Sequence, residues 1–161
     1  MITLYKPKLE ELTFKQELLR DPKTMDFNME YGGTIDFNQE SWASWYNYWL
    51  INHDNKRFYR YIKQDNLFIG EVAYHYEDEK FLIDVIIMAK YRGLGYGAIA
   101  LKLLEEEALK NGINELYDTV GINNPGINLF LKNGYQVLYK TSTYIMVYKK
   151  LKKLIILLNQ S

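Results

Sequence analysis

The sequence predicts an α+β fold, a single domain built on a central mixed sheet of six to seven strands flanked by about four helices. Three observations lead there. Apolar, β-prone stretches at 57–63, 67–76 and 81–88 follow one another with only turns between them, which implies an antiparallel meander. The third stretch then passes through a glycine-rich turn into an amphipathic helix and on to a further strand, a βαβ unit whose two strands should be parallel. No internal repeat or low-complexity linker divides the 161 residues, a length that suits one domain with a real core. The domain is expected to span 1–150, with 151–161 as an apolar C-terminal extension.

Taken in order, 2–5 reads as a first strand. A helix follows from Pro7, whose fixed φ suits a helix start, with Leu9, Leu12, Gln16 and Leu19 on one side and Asp21-Pro22 as the stop. The stretch 23–38 has no steady period, but its Tyr31-Gly32-Gly33-Thr34 reads either as a binding loop or as a connection. Asp36 or Asn38 can cap a second helix to about residue 51, with Trp42, Trp45, Tyr46 and Trp49 as one stripe. After the meander, the helix beyond the glycine turn carries Gly97, Leu101, Leu104 and Ala108 at helical spacing, a Glu106–Lys110 pair, and a stop at Asn111-Gly112. A strand over 115–122 comes next, then a short helix capped by Asn124 with Pro125 first, and strands at 135–139 and 142–148. Leu154 to Leu158 is an apolar run at the terminus that could extend a strand, pack on the core, or meet a second subunit.

Composition narrows the function. Twenty basic and twenty acidic residues cancel, so charge gives no reason to expect a nucleic-acid partner. The absence of cysteine removes disulfides, thiolate metal ligands and cysteine nucleophiles together, and no metal site is expected. The start has no signal-peptide profile and no apolar run reaches transmembrane length, so a soluble cytoplasmic protein is the expectation.

The chemistry concentrates at 81–97, FLIDVIIMAKYRGLGYG. A glycine loop between a strand and a helix start offers free backbone N–H groups and the positive end of the helix dipole, which suits a phosphate or pyrophosphate. Arg92 can add a charge-assisted contact. Gly93, Gly95 and Ala98 also fit the dinucleotide pattern G-x-G-x-x-[GA], with Asp118 at the distance of a ribose-binding acid. That context is wrong, because three antiparallel strands precede the loop and only one βαβ unit can follow it.

Read instead as R-x-x-G-x-G, Arg92-Gly93-Leu94-Gly95-Tyr96-Gly97 resembles the cofactor loop of the GNAT superfamily of acyl-CoA-dependent N-acetyltransferases. The resemblance extends over 67–148. It takes in the Gly70-Glu71-Val72 and Val85-Ile86-Ile87 strands, and the interval from Asn123 to Gly134-Tyr135 matches the family's N-x(10)-G-[FY] ending.

The resemblance implies acetyl-CoA as co-substrate. The amides of Arg92, Gly93, Leu94, Gly95, Tyr96 and Gly97 would bind its pyrophosphate, and the pantetheine arm would lie along the strand as an extra strand does. The N–H near Ile87 or Met88 would stabilise the oxyanion, and Asn123 would hold the arm. The family's general-acid tyrosine falls where this chain has Phe130, which is counted among the cofactor-lining residues and cannot donate a proton. Tyr135, Tyr139 or solvent would serve instead. Asp84, which interrupts an apolar strand, is the first candidate for general base, with Glu71 and His75 next. The acceptor amine would sit across the sheet near Tyr31, Asp36 and Trp42, with Glu30, Asp36, Glu71 and Asp84 supplying negative charge. The expected activity is N-acetyl transfer to a small-molecule or protein amine by direct attack in a ternary complex. The alternative is a non-catalytic acyl-CoA-binding module.

Overall fold

The computed structural model describes residues 1–152, the side chain of Glu30 excepted. Seven strands form one sheet: β1 (Ile2–Tyr5), β2 (Arg57–Gln64), β3 (Leu67–Glu77), β4 (Lys80–Ile87), β5 (Glu115–Gly121), β6 (Gln136–Lys140) and β7 (Tyr144–Lys150). Their order across the sheet is β1-β2-β3-β4-β5-β7-β6. All neighbours are antiparallel except β4 and β5, as the βαβ reading requires.

Among the described residues the four α-helices are α1 (Leu12–Arg20), α2 (Trp42–Tyr46), α3 (Tyr96–Lys110) and α4 (Ile127–Lys132). Alternation along the strands sends side chains to two faces, each with its own core. Leu101, Leu104 and Ala108 of α3 and Phe130 of α4 pack with Ile83, Leu116 and Val120 on one face. Leu12, Leu18 and Leu19 of α1 and Trp42 of α2 pack with Tyr59, Tyr61 and Ala73 on the other.

Several local expectations are corrected. The first α-helix is preceded by a 3₁₀ turn, Leu9–Glu11, and buries Leu12, Phe14, Lys15, Leu18 and Leu19, a stripe rotated from the expected one; Leu9 lies exposed. The second helix is short. It opens as a 3₁₀ turn over Gln39–Ser41 and ends as a π turn over Asn47–Ile51. Lys110 pairs with Glu107 at 3.3 Å, not with Glu106. The Asn124 side chain accepts the Gly126 N–H at 2.8 Å in a turn, so α4 begins two residues beyond Pro125.

Gly70 sets the end of β4 against β3. A Cβ there would collide with the Ile86 carbonyl, so only glycine lets the two backbones approach this closely. At the C-terminal end, Leu151 is buried and its N–H donates to the Asn114 carbonyl at 2.7 Å. The apolar run from Leu154 lies outside the described residues.

Candidate active-site groove at the parting of β4 and β5

The parallel pair β4–β5 holds together at a single register position, Leu82 opposite Tyr117. Beyond it β4 continues to Ile87 while β5 departs, so the second half of β4 has a partner on one edge only. Which backbone groups face the gap follows from register. The Met88 N–H donates to the Ile69 carbonyl at 2.8 Å and so points toward β3. Alternation then turns the N–H groups of Val85 and Ile87 away from β3, into the gap. Of the two expected oxyanion donors, Met88 is already spent and Ile87 faces the groove.

The glycine loop closes one end of this gap. A 3₁₀ turn over Ala89–Tyr91 leads into Gly93 and Gly95, both left-handed at φ 78 and φ 84, and α3 starts at Tyr96. Among the described residues, the amides of Gly93, Leu94 and Gly95 have no acceptor, and those of Tyr96 and Gly97 belong to the open first turn of α3. A Cβ at Gly93 or Gly95 would meet no protein atom within 4 Å, so these amides border open space. A Cβ at Gly97 would touch Leu129 and Ile87 at 3.5 and 3.9 Å, which places that glycine where α3 packs on the strand and α4.

The Arg92 side chain is engaged by the protein itself. Its guanidinium donates to the carbonyls of Ile87 (3.1 Å), Lys23 (3.2 Å) and Thr24 (2.6 Å) and lies 3.5 Å from Asp26. The fully buried Thr24 accepts the Ala89 N–H at 2.9 Å through its hydroxyl. Arg92 and Thr24 together clasp the loop's stem to the segment after α1. Asn123 is exposed in the turn after β5, at the far lip of the gap. Phe130 is core, with its ring edge-on to Tyr135 at 5.2 Å. A pocket of about 330 Å³ opens beside the first turns of α3, lined by Ala98, Ile99, Lys102, Asn133 and Lys149. A second, of about 210 Å³, lies away from the loop beside Arg60, Tyr74 and Asn111.

The face of the sheet toward α1 and α2 carries the acids. Asp84 stands opposite Ala73, so Glu71, His75 and Asp84 share that face. Only Asp84 has a free carboxylate. It is open to solvent on one side, yet the protein around it withholds enough hydration to raise its pKa. The Glu71 charge adds to that rise, and His75 and Lys15 oppose it. Glu71 is committed, since it receives Lys15 Nζ at 2.8 and 3.2 Å and the Tyr59 hydroxyl. That removes it as a ready base. His75 Nε2 lies 3.0 Å from Glu77, and its Nδ1 is buried without a partner among the described residues.

Asp118, on β5, was set aside with the dinucleotide reading. Burial first, and the Asp84 charge second, push its carboxyl well above the ordinary range. A raised carboxyl binds its proton more tightly folded than unfolded, so its ionised form costs stability above the folded pKa. Asp118→Asn should therefore raise the melting temperature at neutral pH. The gain should shrink as pH falls into the ordinary carboxylate range, where both states are protonated. Melting curves across pH check this, and a variant that melts below wild type at neutral pH would contradict it.

The expected acceptor residues divide. Tyr31 is 80% exposed and Asp36 is exposed, whereas Trp42 is core, stacked on Phe37 with its N–H donated to the Phe37 carbonyl at 3.0 Å. Trp45, Tyr46 and Trp49, the other members of the stripe, are half-buried, and the Tyr46 hydroxyl donates to the Pro7 carbonyl at 2.8 Å. Trp49 stands edge-on to His75 at 6.1 Å, beside the strand that carries Asp84's neighbours. Neither expected tyrosine acid reaches the groove. Tyr135 is buried with its hydroxyl on Glu105 at 3.0 Å, and burial first, with the Glu105 charge and hydrogen bond second, pushes its pKa far up. Tyr139 is on β6, the far edge of the sheet.

The site thus consists of a mixed sheet with a parted parallel pair, a glycine loop with unpaired amides at a helix start, and an open acid on the freed strand. The chain belongs to the acetyltransferase (GNAT) family, whose description matches residues 16–135. No curated protein matches it in sequence. Among solved structures it is similar to a PaiA N-acetyltransferase from Thermoplasma acidophilum in complex with coenzyme A, at 20% identity. That match has a TM-score of 0.70 and covers 93% of this chain and 99% of that one. It is similar to a spermidine N-acetyltransferase from Vibrio cholerae in complex with CoA and spermine, at 16% identity and a TM-score of 0.76, covering 92% and 95%. A third is the microcin C7 self-immunity acetyltransferase MccE in complex with acetyl-CoA and AMP, at 19% identity and a TM-score of 0.73, covering 93% and 92%. No described helix is long and apolar enough to cross a membrane.

Proposed function

We propose that this acetyltransferase moves the acetyl group of acetyl-CoA to a primary amine by direct attack, with Asp84 taking the amine's proton. The observation that carries the reading is the parting of β4 from β5 beside a glycine loop with unpaired amides. Amides from Gly93 to Gly97, at the positive end of α3, hold the pyrophosphate. The pantetheine arm lies along the freed edge of β4, and Asn123 meets it from the other lip. The Ile87 N–H faces the thioester oxygen and stabilises the negative charge that forms there. The amine nitrogen bonds to the acetyl carbon, the carbon–sulfur bond breaks, and the electron pair leaves with the CoA thiolate. The amine's proton passes to Asp84 directly or through water. The thiolate needs no tyrosine, because a thiol's pKa makes it a tolerable leaving group near neutral pH. Dependence on acetyl-CoA favours a cytoplasmic setting.

A non-catalytic acyl-CoA-binding module is the second reading, favoured by Phe130 and by the engagement of Tyr135 with Glu105. One experiment separates the two. Acetyl-CoA should raise the melting temperature, and an amine panel scored by thiol release should find an acceptor that turns over. Stabilisation without thiol release from any amine supports the binding module. Stabilisation by NAD but not by CoA removes both.

A further inference from the structure

Lys15 is a lysine on the apolar face of α1, only 7% exposed. Its ammonium lies 4.8 Å from the ring centre of Tyr59, 4.9 Å from that of Trp45 and 5.6 Å from that of Phe37, and it bonds both oxygens of Glu71. Four separate parts of the chain supply these groups: β2, α2, the segment before it, and β3. Three π faces and a carboxylate around one ammonium make an amine-recognition site, and its occupant is the chain's own side chain. Stability does not explain the arrangement, since a buried ion pair is commonly matched or bettered by an apolar residue of similar volume. Position is more informative. Glu71 is in register with Ile86, two residues along β4 from Asp84, and on the same face. Trp45, on the rim of the cage, is half-exposed.

We infer that this cage is an ammonium subsite of the acceptor groove and that Lys15 closes it to the second cation of a diamine or polyamine. The inference rests on the acceptor placement proposed above. A diamine gains no second anchor in the wild-type groove, so acceptors with one cationic nitrogen compete on equal terms. Among the described strand residues of that face, Asp84 keeps an uncommitted carboxylate, and the reacting amine is drawn to it.

The test opens the cage. Lys15→Ala removes the occupant, and Lys15→Met removes the charge but keeps the volume. Each is assayed with α,ω-diamines paired with monoamines of the same length. Lys15→Ala should raise the diamine-to-monoamine ratio of kcat/KM by about tenfold or more, whereas Lys15→Met should not. An unchanged ratio in Lys15→Ala that still binds acetyl-CoA overturns the inference. A second measurement does not need turnover. Propylammonium chloride, which replaces the excised side chain, should raise the melting temperature of Lys15→Ala above that in sodium chloride of equal ionic strength. It should do so neither in wild type nor after Glu71→Gln is added. Absence of that rescue overturns the cage as an amine site whether or not any acceptor turns over. Rescue together with a wild type inert toward every amine would count against the proposed reaction alone.

Discussion

Gly95→Asp should abolish acetyl-CoA binding while leaving the protein folded. Position 95 is left-handed, at φ 84, so a side chain there carries some strain. The strain is tolerable for this residue type, because the same chain already holds Asp54, Asp65 and Asp78 at positive φ. Nor would the new side chain crowd the protein, since a Cβ at 95 meets no atom within 4 Å. It would project into the space the unpaired amides border, and there it would set a carboxylate against a pyrophosphate. Loss of affinity by about a hundredfold or more is expected from repulsion and lost amide contacts together. Gly95→Ala is the matching control, carrying the strain without the charge, and should lose much less. Calorimetric titration with CoA, beside melting curves of both apo variants, checks this. An Asp variant that binds CoA like wild type would move the cofactor elsewhere.

What could be seen in the sequence was mostly local. The glycine loop, the βαβ unit and the meander each depend on residues within one or two elements, so periodicity and turn chemistry reveal them. The loop amides face open space as their position between strand and helix implied. The side chains that build the groove depend on docking between distant segments. Arg92 reads as an anion ligand in the sequence because no acidic side chain stands near it to claim its charge. Its acceptors at Lys23 and Thr24 come from the other side of α1. The choice between Ile87 and Met88 is a matter of strand parity, which only the bond from Met88 to Ile69 decides. In the tryptophan stripe, the burial of Trp42 and the partial exposure of Trp45 and Trp49 are decided by how α2 meets β2, which no local pattern shows. Lys15 did leave a trace. A lysine at a position flanked by Phe14, Leu18 and Leu19 at helical spacing breaks an apolar face, and such a break asks what partner it meets.

Asp84→Asn should cut turnover at neutral pH by about a hundredfold or more, the usual worth of a positioned general base, and leave CoA affinity nearly intact. The reason lies in contrast among neighbours. Among the ionisable groups on this face, Glu71 is bonded to Lys15 and Tyr59 while His75 is turned to Glu77. Asp84 alone combines an open carboxylate with a raised pKa, the condition in which a carboxyl both accepts a proton and holds it. In wild type, kcat/KM should rise with pH as Asp84 ionises, with the midpoint shifted up from that of an ordinary aspartate by the carboxyl's burial. The variant should lose that limb. The change should not weaken the fold, because a raised carboxyl costs stability when ionised, and an amide removes the cost at neutral pH. Lower activity in Asp84→Asn therefore cannot be attributed to unfolding if its melting temperature equals or exceeds that of wild type. Full activity with an unaltered pH profile would place the base on another group, with His75 the next to test.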